Sequence, residues 1–267
     1  MNILFLGGNR YFGKEILISL LKKKHKVFLI NRGSKFNQLN HKHLIYLKCD
    51  RKNIKQLKDL YRDVFFDVIF DNIAYKLEDV KILLKVFKGK FKHYIFTSSV
   101  ITYLGLYDKI EVKEKDWSKG KVNRSMINKF KPIDISYAIN KRKIEKFLIN
   151  NKKIKSTIVR IPAVIGINDF SKKTERLIAF QFNKNKNIDW DDFIQFIYKP
   201  DLVKVIIKLI EKKNKESQIF NVANKKIKIK DFYKKISKLD KFYKQKYLLY
   251  VNDKFPLPLN SLINCEK

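Results

Sequence analysis

The first thirteen residues constrain the fold more tightly than any other stretch of the chain. The apolar run Ile3-Leu4-Phe5-Leu6 stops at Gly7-Gly8-Asn9-Arg10-Tyr11-Phe12-Gly13, and a helical pattern begins at once. A parallel strand buried on both faces reads as an unbroken apolar run. Glycines directly after it let the backbone turn sharply into a helix whose free N–H groups face an anion, which is how a dinucleotide-binding βαβ unit begins. Arg10 stands where the middle glycine of G-x-x-G-x-x-G would be. Taken alone, a glycine-rich turn is a weak signal, and an ordinary strand-to-helix turn is the alternative reading.

Support comes from three residues further on. His93-Tyr94-Ile95-Phe96-Thr97-Ser98-Ser99 is a short apolar strand ending in hydroxyls, which puts Ser99 at a carboxyl edge, where open α/β sheets hold their ligands. Tyr137-Ala138-Ile139-Asn140-Lys141 opens a helical stretch, and the i,i+4 spacing sets a phenol and an ammonium on one helix face. A free tyrosine keeps its proton to about pH 10, and a neighbouring cation favours the phenolate, so the pair is expected to work as an acid/base near neutrality. Tyrosine four residues before lysine is common in a chain rich in both. The order glycine turn, strand-end serine, Tyr/Lys helix gives it weight.

With these residues in place, the chain resembles the short-chain dehydrogenase/reductase superfamily, specifically its extended and atypical branches of NAD(P)-dependent epimerase/dehydratase-like proteins. The turn from Gly7 to Gly13 is similar to the G-G-T-R-F-I-G turn of atypical bacterial members, in which arginine replaces the middle glycine. Asn31-Arg32-Gly33, Cys49-Asp50-Arg51, Asp71-Asn72-Ile73-Ala74-Tyr75 and Ser98-Ser99-Val100-Ile101-Thr102-Tyr103 fall where that family has its strand-end cofactor contacts. Arg160-Ile161-Pro162-Ala163-Val164-Ile165-Gly166 resembles the segment beside the nicotinamide, and Phe196 to Val203 and Ile219 to Ala223 match two later landmarks.

The resemblance implies a Rossmann-like, doubly wound parallel α/β sheet with a small C-terminal substrate lobe. It implies an NAD(P)-dependent oxidoreductase or epimerase with Ser99, Tyr137 and Lys141 as catalytic residues. The implied cofactor contacts are Gly7, Asn9, Arg10, Tyr11, Phe12, Gly13, Asn31, Arg32, Asp50, Arg51, Asn72, Ile73, Ala74, Thr97, Ser98, Pro162 and Val164, together with Tyr137 and Lys141. Tyr137 would pass a proton to or from a substrate hydroxyl or carbonyl. Lys141 would lower the tyrosine's pKa and hold ribose hydroxyls, and Ser99 would donate a hydrogen bond to the substrate oxygen. Sugar 4,6-dehydratases of the superfamily place an acidic pair directly after the active-site threonine. Val100 and Ile101 fill those places here, so dehydration by that route is not expected.

At 267 residues the chain is long enough for one α/β unit with an appended lobe. Residues 1–166 are expected to form the NAD(P)-binding domain and residues 167–267 the substrate lobe, with a helical stretch near Pro200 to Lys212 returning to the sheet. Strand-like runs at Val27-Phe28-Leu29-Ile30, Leu44-Ile45-Tyr46-Leu47, Phe66-Asp67-Val68-Ile69-Phe70, His93 to Phe96 and Lys155 to Arg160 alternate with helical ones, as parallel strands with crossover helices do. No apolar run approaches the ~20 residues of a membrane span. Two distant cysteines, Cys49 and Cys265, give neither zinc spacing nor a disulfide framework. No signal or transit pattern precedes the glycine turn, so a cytoplasmic location is expected. No metal site is expected; His41 and His43 read as a loop pair.

NAD-preferring sites usually carry Asp or Glu at the end of the second strand, whereas a nearby Arg suits a 2′-phosphate. This chain has Asn31-Arg32 with Lys35 close behind, so NADP is favoured over NAD; Arg32 reads alternatively as a solvated cation or an adenine stack. Substrate identity lies in the C-terminal lobe. A nucleotide sugar suits Lys172, Lys173 and Arg176, and a homodimer is compatible with this class. Sixty basic against 26 acidic residues leave a net charge of +34. Such an excess either serves nucleic acid or reflects compositional drift toward Lys, Asn and Ile. The lysines are spread along most helices, and Phe232, Ile236, Leu239 and Tyr243 repeat as an apolar helix stripe, which favours drift and core. The alternative is an RNA-binding protein of reduced catalytic power, like the chloroplast stem-loop-binding proteins that resemble the atypical branch.

Overall fold

A computed structural model describes residues 1–33, 39–60, 63–105, 111–118, 130–180, 189–212, 216–237 and 262–263. Its centre is a seven-stranded parallel sheet. The strands are β1 (Asn2–Leu6), β2 (Lys26–Asn31), β3 (Leu44–Lys48), β4 (Phe66–Asp71), β5 (Phe91–Ser99), β7 (Ser156–Ile161) and β11 (Gln218–Asn221). They lie side by side as β11-β7-β5-β4-β1-β2-β3. The chain builds outward from β1 to β3, then returns to lay β4 on the other side of β1. The carboxyl ends of β1 and β4 therefore flank a topological switch point, the place where a doubly wound sheet opens a crevice for a ligand.

Alternate residues of each strand serve opposite layers. Ile3 and Phe5 pack with Ile16, Leu17, Leu20 and Leu21 of α1 (Tyr11–Lys22) and with Leu202, Ile206 and Ile210 of a later helix, α6 (Lys199–Glu211). Leu4 and Leu6 face the other layer. There they meet Leu57 of α2 (Ile54–Leu60), Val80 and Leu83 of α3 (Leu77–Val86), and Ile144 and Leu148 of α4 (Pro132–Asn150). Burial on both faces explains why these strands read as unbroken apolar runs. Each such Leu or Ile contributes roughly 1.5–3 kcal/mol on removal from water.

After β7 the chain leaves the sheet to form a small lobe. It contains β8 (Val164–Ile165), α5 (Lys173–Ala179), β9 (Phe193–Ile194), β10 (Ile197–Tyr198), β12 (Ile227–Lys228) and α7 (Ile229–Ser237). β8 pairs with β10 and β9 with β12, over a core of Leu177, Phe180, Ile194, Ile229 and Tyr233. Between these pieces, α6 packs on α1 and β11 extends the main sheet. A short strand β6 (Glu111–Val112) pairs with β13 (Leu262–Ile263).

The apolar stripe of the last helix differs from its sequence expectation. Ile229 and Tyr233 form the buried line, with the Tyr233 hydroxyl donating to Leu177 O at 2.7 Å, while Phe232 and Ile236 are half-buried beside it. The helix starts from β12, whose pairing with β9 sets its rotation. Leu239 and Tyr243 lie outside the described residues, as do Lys35 and Cys265.

Candidate active site

Gly7 follows β1 with φ +101°, and a Cβ there would stand 2.4 Å from Ile73 Cγ2 across the switch point. Only glycine adopts that backbone without strain. A Cβ on Gly13 would come within 2.6 Å of Gly7 O, so glycine is also what lets α1 lie against the turn. Arg10 is the extended residue before α1, and the first turn of that helix carries no acidic residue. Its N–H groups and dipole are left open to an anion. Tyr11 begins the helix at φ 49°, a region that L-residues seldom adopt. Its hydroxyl donates to Val164 O at 3.2 Å, and the buried Lys199 ammonium lies 5.5 Å from its ring centre. Arg10 stacks on the exposed ring of Phe170 at 5.3 Å. Phe12 is half-buried against the core, and Pro162 is buried beside β8.

At the end of β2, Asn31 is buried and its amide is held on three sides. It accepts from Gly33 N–H (2.8 Å) and the Tyr46 hydroxyl (2.9 Å) and donates to Asn9 Oδ1. Arg32 is exposed. Asp50, also exposed, caps Lys52 N–H at 2.9 Å. Arg51 points inward to a bidentate pair with Asp71 (2.9 and 2.6 Å) and to Asp79 O (3.0 Å), and the Tyr94 hydroxyl donates to Asp71 at 2.6 Å. Burial raises the Asp71 carboxyl, but the Arg51 charge and these hydrogen bonds outweigh it and hold the group below the usual carboxylate range. Arg51 thus braces the end of β4 from within. Asp71 also accepts from Ile73 N–H at 3.2 Å, and Asn72 N–H donates to Leu6 O. Asn72 Oδ1 and Thr97 Oγ1 are buried without a partner among the described residues.

The carboxyl end of β5 carries Ser99, and the first half of α4 sets Tyr137 and Lys141 side by side. Pro132 opens α4, whose inner face carries Ala138, Lys141, Ile144 and Glu145. Lys141 is buried, and its ammonium donates to Ala74 O (3.0 Å) and Thr97 O (2.8 Å), tying α4 to the ends of β4 and β5. It lies 4.4 Å from the Phe96 ring centre and 5.5 Å from those of both Tyr75 and Tyr137. Burial pushes this lysine down to about 8, against the pull of Asp71 and Glu145 and with the push of Arg51. Ser99 ends β5 and its Oγ accepts from Ile101 N–H at 3.3 Å, capping the short 3-10 turn Val100–Tyr103 while keeping its own proton to donate. Arg142 clamps that turn through Thr102 O (2.7 Å) and Leu104 O. Tyr137 is half-buried. Burial first, then the adjacent Tyr75, holds its phenol above the ordinary value, opposite to the lowering that the Tyr/Lys spacing predicts. The ammonium faces the phenol ring and two carbonyls, so the cost of burial dominates.

Ser98 serves the scaffold. Its hydroxyl donates to Glu145, which holds Arg160 through both carboxylate oxygens, and Arg160 reaches the Tyr103 hydroxyl at 2.6 Å. Both members of this ion pair are fully buried. Sequence reasoning missed Glu145, although it lies one turn past Lys141 on the same face. It placed Tyr75 in a strand-end segment but not beside Tyr137; the ring is 58% exposed, with its centre 5.8 Å from that of Tyr137.

The geometry defines a doubly wound parallel α/β fold with Tyr137 and Lys141 side by side on α4 and Ser99 at the carboxyl end of β5. No protein-family model matches the chain. The chloroplast stem-loop binding protein of 41 kDa b from Arabidopsis thaliana is 30% identical over 115 residues, a match spanning 38% of this chain and 30% of that relative. Vestitone reductase from alfalfa has the same fold, with a TM-score of 0.72 at 17% identity over 99% of this chain and 90% of its own. UDP-N-acetylglucosamine 4-epimerase of Methanobrevibacter ruminantium gives 0.67 at 21% identity, covering 89% and 81%. UDP-glucose 4-epimerase of Thermus thermophilus, solved with NAD, gives 0.65 at 14%, covering 89% and 83%. The fold is that of the NAD-dependent epimerases and extended short-chain dehydrogenase/reductases. No helix among the described residues is long and apolar enough to cross a membrane.

Proposed function

We propose that the protein is an NAD(P)-dependent oxidoreductase or epimerase of the extended short-chain dehydrogenase type, acting on a hydroxyl or carbonyl of a nucleotide sugar or similar substrate. The observation that carries this reading is Lys141, buried between Ala74 O and Thr97 O with the Tyr137 ring beside it. The residues fit a dinucleotide. The cradle over Gly7 and Gly13 would be filled by any Cβ, the N-terminus of α1 carries no acid, and Asn72 Oδ1 is an unused buried acceptor at the switch point.

When bound, the nicotinamide supplies or accepts the hydride. Tyr137, held protonated, is suited to donate its phenolic proton to a carbonyl oxygen as hydride reaches the carbon, so the reductive direction fits its state in this structure. Ser99 donates to the same oxygen as charge develops there. Lys141 has two of its three N–H groups on backbone carbonyls and one left for a ribose hydroxyl. Val100 and Ile101 cannot move a proton, so dehydration through an acidic pair is outside this reading. The absence of a carboxylate at Asn31 favours NADP.

The test is Tyr137→Phe. Turnover of nucleotide-sugar or ketone substrates should disappear while NADPH affinity stays within about twofold, because the phenol acts on the reacting oxygen. A variant with full activity would refute the assignment. A nucleic-acid role is the second reading, favoured by the +34 net charge and the name of the plant relative. Salt-sensitive retention of stem-loop RNA by protein that binds no nicotinamide nucleotide would select it.

A further inference from the structure

We infer that Glu145 is a positioning residue, the buried carboxylate that keeps the Lys141 ammonium charged where dryness favours the neutral amine. The inference rests on the reading that Lys141 serves a nicotinamide site, and it gives a task to a group which that reading leaves unused.

Three observations carry it. Glu145 follows Lys141 by four residues on the inner face of α4, so the two side chains lie one turn apart. Their partners on β5 are consecutive. The ammonium donates to Thr97 O at 2.8 Å, and the next residue, Ser98, donates its hydroxyl to Glu145 Oε1. The carboxylate is therefore fixed beside the cation from two elements at once.

Next, both groups are almost wholly removed from water, Lys141 at 3% exposure and Glu145 at 0%. Burial is the largest influence on Lys141 and acts against its charge. Its hydrogen bonds go to two neutral carbonyls, and the rings of Phe96, Tyr75 and Tyr137 surround it. Two carboxylates act in the other direction, Asp71 at the end of β4 and Glu145 on α4.

Finally, the two carboxylates differ in what their arginines do. Arg51, which braces Asp71, also repels Lys141, so that pair partly cancels at the ammonium. Arg160 reaches Glu145 from β7, on the opposite flank of β5, and extends onward to the Tyr103 hydroxyl (2.6 Å) and Glu114 O (3.4 Å). Glu145 is thus the carboxylate that attracts Lys141 from the side away from Arg51.

The test follows the charge of Lys141 by NMR of the whole protein carrying lysine labelled with carbon-13 at Cε, its signal identified as the one lost in Lys141→Gln. In the wild type that signal should titrate near pH 8. Glu145→Gln should lower the midpoint by about one unit or more, because an opposite charge beside a buried group commonly moves it that far. Glu145→Asp, which keeps the charge, should hold the midpoint within about half a unit. Glu145→Gln strands the Arg160 guanidinium, so Glu145→Gln/Arg160→Met, which removes the pair together, serves where the single variant does not fold; its midpoint should fall as well. A midpoint that stays in place in the folded variants, or an equal fall in Glu145→Asp, would overturn the assignment. The titration needs neither nucleotide nor substrate, so that result removes the role of Glu145 alone, while Tyr137→Phe decides the oxidoreductase reading separately.

Discussion

Gly7 shows how much a single residue decides here. Its φ of +101° and the 2.4 Å approach that a Cβ would make to Ile73 leave no room for alanine. Gly7→Ala should cost about 1–3 kcal/mol of stability in urea unfolding and weaken nucleotide binding, because the turn must open to admit the methyl group. Unchanged stability and affinity would show that the turn is not what shapes the cleft. The glycine turn and the nearness of Tyr137 to Lys141 were legible in the sequence because spacing is itself the signal. Tyr75 was placed only within a strand-end segment, not beside Tyr137. It follows a strand end with no periodicity to mark it, and only the packing of α4 brings its ring beside Tyr137. The direction of the Tyr137 shift was equally hidden, since spacing reports proximity to Lys141 but not how deeply both groups are buried.

Among the elements, the five strands expected from apolar runs appear as β2, β3, β4, β5 and β7, with ends moved by a few residues. The pairs that lock them were unreadable. Arg51 and Asp71 lie on different elements, and Arg160 sits within an apolar strand, where nothing local suggests that Glu145 receives it. The Arg51–Asp71 pair gives a pH-dependent prediction. Because the folded carboxyl titrates below its unfolded value of about 4, the unfolded state binds more protons between the two values, and stability falls as pH drops through that window. Asp71→Asn strands the buried guanidinium and should cost about 3–5 kcal/mol at neutral pH. The gap between variant and wild type should narrow below about pH 4, as the wild-type carboxylate is itself protonated. A gap independent of pH in urea unfolding would contradict this role for the pair.

Across the whole molecule, the strand order places every candidate group on one edge. The turn after β1 and the Arg51–Asp71 brace at the end of β4 flank the switch point, with the strand end of β2 next on one side and Ser99 at the end of β5 next on the other. The small lobe reaches over the same edge through Val164 and Phe170, which meet Tyr11 and Arg10 at the start of α1. The return of the helix near Pro200 to Lys212 was readable in the sequence and appears as α6 packed on α1, whereas the addition of β11 to the sheet beside β7 was not, because it depends on long-range pairing. The most direct test of the account is a crystal structure of the protein grown with NADPH. The account predicts the pyrophosphate on the N-terminus of α1 over Gly7, the adenosine toward Asn31 and the nicotinamide ring beside Tyr137 and Lys141. Nucleotide bound away from the switch point, or a nicotinamide ring remote from the Tyr137 hydroxyl, would contradict it.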